Sequence, residues 1–420
     1  MATIRRTVDI DLEVQAEHRY LPVPFEVPPG TESLEVVIRY PGDGAGDVGI
    51  DLGCEGAAGW RGWSGGARTE YLITPHDATP GYLPGELEPG EWNVVLGLHR
   101  VPAEGARVEV EITMPASRPV PPLPEVAPAV RERRGSERGL PVPAGLRWYA
   151  GDFHGHTLHS DGRLPIGGLA RLGVESGLDF LAVTDHNTVS HHPHLGPEGA
   201  KHGITLLPGQ EVTTHLGHAN AFGDIGWIDF REPADRWVAE VARRGGTLSI
   251  NHPISGDCSW LHPLVERPAA VELWHATWYL ELISTAPFAW FRDWPAGAVL
   301  LGGSDFHMLE EPQRPGTPVT WVAAEDDSAE AILAGVAAGR TAVTGGATLD
   351  GGVGRPDLAA PALVRIGEEL VAVDAEGLVL VDGVGRRRVV RGDRAVFAAD
   401  PADGPCHLVL ADRRILPLSA

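Results

Sequence analysis

The first third of the chain alternates apolar and polar positions with a period of two. Leu34-Glu-Val-Val-Ile-Arg-Tyr40, Trp92-Asn-Val-Val-Leu-Gly-Leu98 and Val108-Glu-Val-Glu-Ile-Thr-Met114 each put apolar side chains on one face of an extended strand. Clusters of Gly, Pro and Asp at 41–47, 85–90 and 102–106 supply turns between them. The pattern predicts a β-sandwich over residues 1–114. The alternation stops at residues 115–146, which are rich in Pro and Arg and predict an extended linker. From 147 to 346, short apolar runs alternate with helical stretches at Leu164 to Gly177, Pro233 to Gly245, Thr285 to Trp294 and Ser328 to Gly339. That succession predicts a parallel α/β architecture. Residues 347–420 carry short β-rich runs such as Leu370-Val-Ala-Val373 and Cys406-His-Leu-Val-Leu410, expected to form a small C-terminal segment.

The apolar runs of the central region end in residues that can bind metal. Asp152-Phe-His154-Gly-His156 opens the region, and Asp161 follows five residues after His156. On an extended backbone His154 and His156 share one face. Phe180-Leu-Ala-Val183 is followed by Thr184-Asp185-His186, Ile204-Thr-Leu-Leu207 by Gly209-Gln-Glu211, Gly246-Thr-Leu-Ser-Ile250 by Asn251-His252-Pro253, and Ala298-Val-Leu-Leu301 by Gly302-Gly-Ser-Asp305-Phe-His307. Chemistry gathered at the C-terminal ends of successive strands is how a β/α barrel builds an active site.

Taken in order, His-x-His…Ser-Asp-Gly, Thr-Asp-His, Gly-x-Glu, Gly-His, Asn-His-Pro and Gly-Ser-Asp-x-His resemble the motifs of the PHP (polymerase and histidinol phosphatase) metallohydrolases over roughly residues 148–346. Val271-Glu-Leu-Trp-His275 and Trp60-Arg-Gly-Trp-Ser-Gly-Gly66 resemble the CehA/McbA branch of that family, which carries a β-rich domain before the barrel. The resemblance implies a distorted (β/α)7 barrel with an N-terminal β-sandwich and a small C-terminal β-rich segment. It also implies two or three divalent ions, Mn, Fe or Zn. The first ion would take His154, His156, Glu211 and Asp305, and the second Asp161, His186 and His307. A third, or an alternative second, would use Glu211 as a bridge with His218 and His252. Asp161 stands where three-metal members often carry His, and a harder carboxylate favours Mn or Fe over Zn. Asp185 is expected to orient a ligand imidazole, and Asp152 either to do the same or to close its strand.

The implied activity is hydrolysis by a metal-bound hydroxide in a di- or trinuclear site, acting on a small phosphomonoester or phosphodiester, with Asp305 or a histidine managing protons. The alternatives are carbamate, ester or amide hydrolysis, and a non-catalytic module. His275 ends the run Ala270-Val-Glu-Leu-Trp274, where the branch usually has Asn, so it is either a general acid or a substrate-contact or packing residue. Arg314, on the loop after the last ligand, is either a clamp for an anionic oxygen or a surface residue. Trp260, Trp274, Trp278 and Tyr279 are candidates for an apolar rim or for core.

Composition narrows the partners. A net charge of −23 with a single lysine, Lys201, leaves no basic patch for nucleic acid. No run approaches the roughly 18 to 20 apolar residues needed to span a bilayer, and the first residues contain no apolar signal segment, so no membrane partner and a cytoplasmic location are expected. Cys54, Cys258 and Cys406 are too scattered for a CxxC metal or disulfide motif. The expected partner is a small-molecule substrate, and oligomeric state stays open.

Overall fold

A computed structural model describes every residue except positions 1, 42–47, 280–285, 293, 295–296, 346, 351–352, 401–403, 411–414 and 420. The chain forms two compact units. One comprises Met1–Pro124 with Leu158–Asp161 and Asp185–His191, and the other comprises Glu125–Thr157, Gly162–Thr184 and His192–Ala420.

In the first unit the alternating runs become β1 (Ala2–Ile10), β2 (Tyr20–Val27), β3 (Leu34–Arg39), β4 (Gly49–Gly56), β5 (Gly59–Gly65), β6 (Glu70–Ile73), β7 (Gly90–Arg100) and β8 (Ala106–Met114). They pair antiparallel in two four-stranded sheets, β1-β8-β3-β6 and β2-β7-β4-β5. Side chains from both sheets enter one core, among them Val36, Val110, Ile112, Leu52, Val94 and Trp92. Tyr71 and Tyr82 stack within it with ring centroids 4.1 Å apart. The short helix α1 (Leu12–Glu17) is capped by Asp11, whose carboxylate accepts from the Glu13 and Val14 amides.

The second unit is mixed α/β. Its strands β9 (Arg147–Asp152), β10 (Phe180–Val183), β11 (Thr205–Thr214), β12 (Gly217–Phe222), β13 (Thr247–Ile250), β14 (Ala270–His275), β15 (Val299–Gly303), β16 (Val319–Ala324) and β17 (Thr341–Thr344) stand in the order β15-β14-β13-β12-β11-β10-β9-β16-β17. These nine form a nearly closed, barrel-like sheet. The two ends approach closely enough for the Gly302 amide to reach Thr320 Oγ1 (2.8 Å) and for Thr341 Oγ1 to reach the Leu300 carbonyl (3.0 Å).

The expectation of a wholly parallel sheet is corrected here. β9, β10 and β11 are parallel, as are β13, β14 and β15, but β12 runs antiparallel to both neighbours and β16 antiparallel to β9 and β17. Only His215 and Leu216 separate β11 from β12, and Gly217 has φ +119°. Two residues can turn a hairpin but cannot carry a crossover.

Helices α2 (Ile166–Glu175), α3 (His192–His202), α4 (Ala234–Arg243), α5 (Ala276–Tyr279), α6 (Ala286–Phe291) and α7 (Ala329–Ala337) complete this unit. α4 follows its apolar spacing, burying Ala234, Trp237 and Val241. α7 begins where predicted, with Ser328 Oγ accepting from the Ala331 amide at 3.2 Å. The helix expected from Thr285 is represented by α6, Thr285 itself lying outside the described residues, as do most of the 41–47 turn and the Tyr279 side chain.

The tail adds a three-stranded antiparallel sheet of Ala362–Ile366, Glu369–Val373 and Arg394–Ala398, while Ile415–Ser419 pairs with β17. Among the described residues no helix is long and apolar enough to cross a membrane.

Candidate metal centre

Four predicted ligands of the second unit converge. His154 and His156 leave the end of β9, Glu211 lies on β11 and Asp305 follows β15, and their ligand atoms all fall within 4.8 Å of one another. His154 Nε2 is 3.2 Å from Glu211 Oε1 and 3.1 Å from Asp305 Oδ1. His156 Nε2 is 3.5 Å from Glu211 Oε2 and 3.0 Å from Asp305 Oδ1. His154, His156 and Glu211 are buried.

The backbone is shaped to make this meeting possible. Asp152 ends β9 and is buried; its carboxylate accepts from the amides of His154 (3.1 Å), Ser304 (3.1 Å) and Gly316 (2.7 Å), tying together the segments that leave β9 and β15. Its role is thus to hold backbone rather than an imidazole. Asp305 and His252 both occupy the left-handed region, at φ 51° and 27°, where non-glycine residues are uncommon. Gly303 lets β15 pass tightly beneath the cluster, since a Cβ there would stand 2.1 Å from Glu272 Oε1 and 2.5 Å from His154 Cβ.

Glu272, on β14, is the residue that the sequence reading passed over. It is buried at 3% exposure, deep enough that an unpaired carboxylate would be costly. Oε1 stands 3.0 Å from His154 Nδ1, and Oε2 accepts from the His252 amide at 2.8 Å. With Nδ1–H donated to Glu272, His154 Nε2 carries a lone pair, and it faces two carboxylates. Nε2 is buried and makes no hydrogen bond. A lone pair facing anionic oxygens calls for positive charge between them, supplied by a proton or a metal ion, and the mixed imidazole and carboxylate donors present fit a divalent ion. Asn251 was also unassigned; its Nδ2 donates to Glu211 Oε1 at 2.8 Å. The signal that could have found both is their place in the quoted motifs, Asn251 directly after β13 and Glu272 within β14.

Electrostatics agree. Burial opposes charge on His154, but the carboxylates of Asp305, Glu211 and Glu272 outweigh it and hold its pKa well above the usual histidine value. Burial would raise the Asp305 carboxyl, yet the charges of His154 and His307 and hydrogen bonds from His156 and His275 hold it well below the usual range. The cluster favours positive charge at its centre.

His252 and His218 approach the same Glu211 oxygen, at 3.3 Å from Nε2 and 3.2 Å from Nδ1 respectively. His307 stacks on His156 with centroids 4.2 Å apart. His275 places Nε2 3.2 Å from Asp305 Oδ2, while its Nδ1 accepts from the Thr277 amide at 3.2 Å. That amide assigns the tautomer, so Nε2 carries the proton and donates to Asp305. Trp274 and Trp278 are buried in the core cluster with Leu273 and Leu300.

Arg314 is held elsewhere. Its guanidinium donates to the carbonyls of Leu309 (2.9 Å), Glu311 (3.1 Å) and Gln313 (3.0 Å), which makes it a tether of its own loop.

In the first unit, Asp161 Oδ1 lies 3.5 Å from His186 Nε2. Burial pushes the Asp51 carboxyl up to about 7, with Arg19 and His186 pulling it down and Asp161 pushing it up, so all four share one local field. Asp185, expected to orient a ligand ring, accepts from Ser160 Oγ at 2.7 Å and lies 3.4 Å from His191 Nδ1.

No family model matches the chain. A curated protein, the 5'-3' exoribonuclease Rnm of Salmonella typhimurium, is 38% identical over 65 residues, which is 15% of this chain and 22% of that protein. A solved two-domain protein from Bacteroides vulgatus, described as containing a predicted PHP-like metal-dependent phosphoesterase, is 19% identical with a TM-score of 0.41, covering 69% of this chain and 90% of that one. An amidohydrolase from Chromobacterium violaceum is 14% identical with a TM-score of 0.28, covering 38% and 88%.

Proposed function

We propose that this chain is a metal-dependent hydrolase of the PHP type, with His154, His156, Glu211 and Asp305 holding its first divalent ion. The observation that carries the reading is the position of His154 Nε2. It lies 3.2 and 3.1 Å from carboxylate oxygens of Glu211 and Asp305, while the other ring nitrogen faces Glu272. Asp161, His186 and His307 for a second ion, and His218 and His252 with Glu211 for a third, follow from the motif resemblance. Mn, Fe and Zn all accept this mixture of imidazole and carboxylate.

Bound ions of this kind lower the pKa of water and polarise the oxygen of a scissile bond. The chain's own residues set the geometry around them. Glu272 fixes the His154 tautomer, and Asn251 and the histidines orient Glu211. His275 Nε2 sits 3.2 Å from Asp305 Oδ2, so this pair can hold a proton beside the cluster and deliver it to a leaving group.

The substrate class we favour is a small phosphomonoester or phosphodiester. The curated protein matched over 65 residues is named an exoribonuclease, which supports a phosphoester target. The net charge of −23 speaks for a small substrate over a long nucleic acid. One observation favours carbamate, ester or amide hydrolysis as the second reading. The guanidinium of Arg314 is committed to three carbonyls and offers no clamp for a phosphate.

The test is hydrolysis by protein loaded with Mn, Fe or Zn, comparing p-nitrophenyl phosphate, bis(p-nitrophenyl) phosphate, p-nitrophenyl acetate and 1-naphthyl N-methylcarbamate, with Asp305→Ala as the blank. Phosphoester turnover lost in the variant supports the first reading. Turnover of the acetate or carbamate alone supports the second. No turnover with any metal refutes both for these substrate classes.

A further inference from the structure

The loops Leu158–Asp161 and Asp185–His191 belong to the same compact unit as residues 1–124. They carry Asp161 and His186, and specific contacts hold them there. Arg68, between β5 and β6, donates from Nη1 to the Ser160 carbonyl at 2.9 Å and from Nη2 to the Leu158 carbonyl. Gly81 grips the other loop at both ends of its peptide. Its amide donates to Ser190 Oγ (3.0 Å), and its carbonyl accepts from Thr188 Oγ1 (2.8 Å). Gly81 has φ +100°, and a Cβ there would meet the Trp63 carbonyl at 2.6 Å and the His159 carbonyl at 2.9 Å, so glycine is needed for this approach.

The turn that presents Gly81 is itself braced by the Trp60-to-Gly66 motif. The Trp63 amide donates to the Gly81 carbonyl (3.0 Å), the Leu83 amide donates to the Arg61 carbonyl (2.7 Å), and the Arg61 guanidinium donates to the carbonyls of Leu83 and Gly85 (3.2 Å each) and Glu86 (2.9 Å). The two loops are also tied to each other, by Ser160 Oγ on Asp185 (2.7 Å) and Ser190 Oγ on His159 Nδ1 (2.8 Å).

We infer that the N-terminal unit is a positioning device for the Asp161–His186 pair, with Arg68 and Gly81 as its positioning residues. Arg68 holds the backbone carbonyls one and three residues before Asp161, and Gly81 holds the side-chain hydroxyls two and four residues after His186. A ligand pair on two separate loops has its spacing set by whatever holds both, and here the holder is the same pair of sheets. The motif from Trp60 to Gly66 thereby gains a purpose, bracing the turn that holds the second loop. The inference rests on the proposed reading that Asp161 and His186 serve a second ion.

The test uses the full chain as wild type, Arg68→Met, Arg68→Lys and Gly81→Ala. Amide hydrogen exchange is followed in 157–161 and 185–191, with β10 and β11 as internal controls, and Mn ions are titrated at equilibrium. The expected result for Arg68→Met is exchange at least tenfold faster in the two loops, unchanged exchange in the controls, and at least tenfold weaker binding of the second Mn with the first unaltered. Arg68→Lys should recover part of that loss. Gly81→Ala should act in the same direction, and its failure to fold would leave the decision with the Arg68 variants. Loop exchange equal to wild type overturns the inference, as does parallel weakening of both ions. If wild type binds a single Mn and Asp161→Ala does not change it, the two-ion reading fails, and the exchange result still decides whether Arg68 holds the loops.

Discussion

Glu272 and His154 form a buried carboxylate–imidazole pair, Oε1 to Nδ1 at 3.0 Å, that turns the opposite ring nitrogen toward Glu211 and Asp305. Second carboxylates of this kind fix the tautomer and raise the basicity of a ligand imidazole. Glu272→Gln keeps the shape but removes the charge. It should weaken Mn or Zn binding by about 10- to 100-fold, measured calorimetrically, with thermal unfolding of the chelated protein little changed. Wild-type affinity in this variant would reduce Glu272 to a packing residue.

His275 donates to Asp305 Oδ2 and does not need to bind metal to matter. His275→Gln should retain the wild-type metal content and lose about 10²-fold or more in turnover, because proton transfer by a positioned side chain contributes roughly 10²- to 10⁴-fold. Loss of metal together with activity would make His275 a ligand instead.

Chelation should destabilise the protein. Binding to the folded state alone contributes about 2.7 kcal/mol at a free ion concentration of 100 times Kd. At roughly 2–4 °C per kcal/mol for a domain of this size, metal should raise Tm by several degrees. Asp305→Ala should abolish the rise. An equal rise in the variant would place the stabilising ion elsewhere.

His407 gives a pH dependence of known sign. Burial, reinforced by the charge of Arg387, lowers its pKa to about 4 from an ordinary 6.5. Between those values the unfolded chain binds the proton and the folded chain does not, so stability falls as pH drops through that window and this residue adds no further loss below about 4. The stability difference between wild type and His407→Leu, from urea unfolding at a series of pH values, should therefore shrink as pH falls from 6.5 to 4. A flat difference would mean that His407 titrates normally.

Arg314→Ala should loosen the loop from Leu309 to Arg314, whose carbonyls it holds, and leave KM for a phosphoester within about twofold. A tenfold or greater rise in KM would restore Arg314 as a substrate contact.

Much of this protein can be read from one dimension. The period-two runs at Leu34–Arg39 and Val108 to Met114 lie on strands because alternation is a local property of extended backbone. The helices around Pro233 to Gly245 and Ser328 to Gly339 were bounded by Pro, Ser and Gly, whose stop and start effects act within a turn. The convergence of His154, His156, Glu211 and Asp305 was legible because each sits at the end of an apolar run, and a curled sheet brings such ends together. The hairpin of β11 and β12 was misjudged as part of a parallel succession, although two intervening residues already exclude a crossover.

The sequence alone determined which residues can bind metal and where the elements begin, since both depend on residue type and neighbours a few positions away. Tertiary structure decided the partners. Glu272 reads as one acidic residue in an apolar strand, and only burial 118 positions from His154 makes it the residue that sets a tautomer. Arg314 reads as a free cation, and only the fold of its loop commits its donors to carbonyls. Arg68 and Gly81 reach loops about 90 to 110 positions away, each contact using at least one backbone atom of a kind that every residue has. A buried polar group must find a partner, but no residue type states which one. That choice is made by the packing of strands distant in sequence.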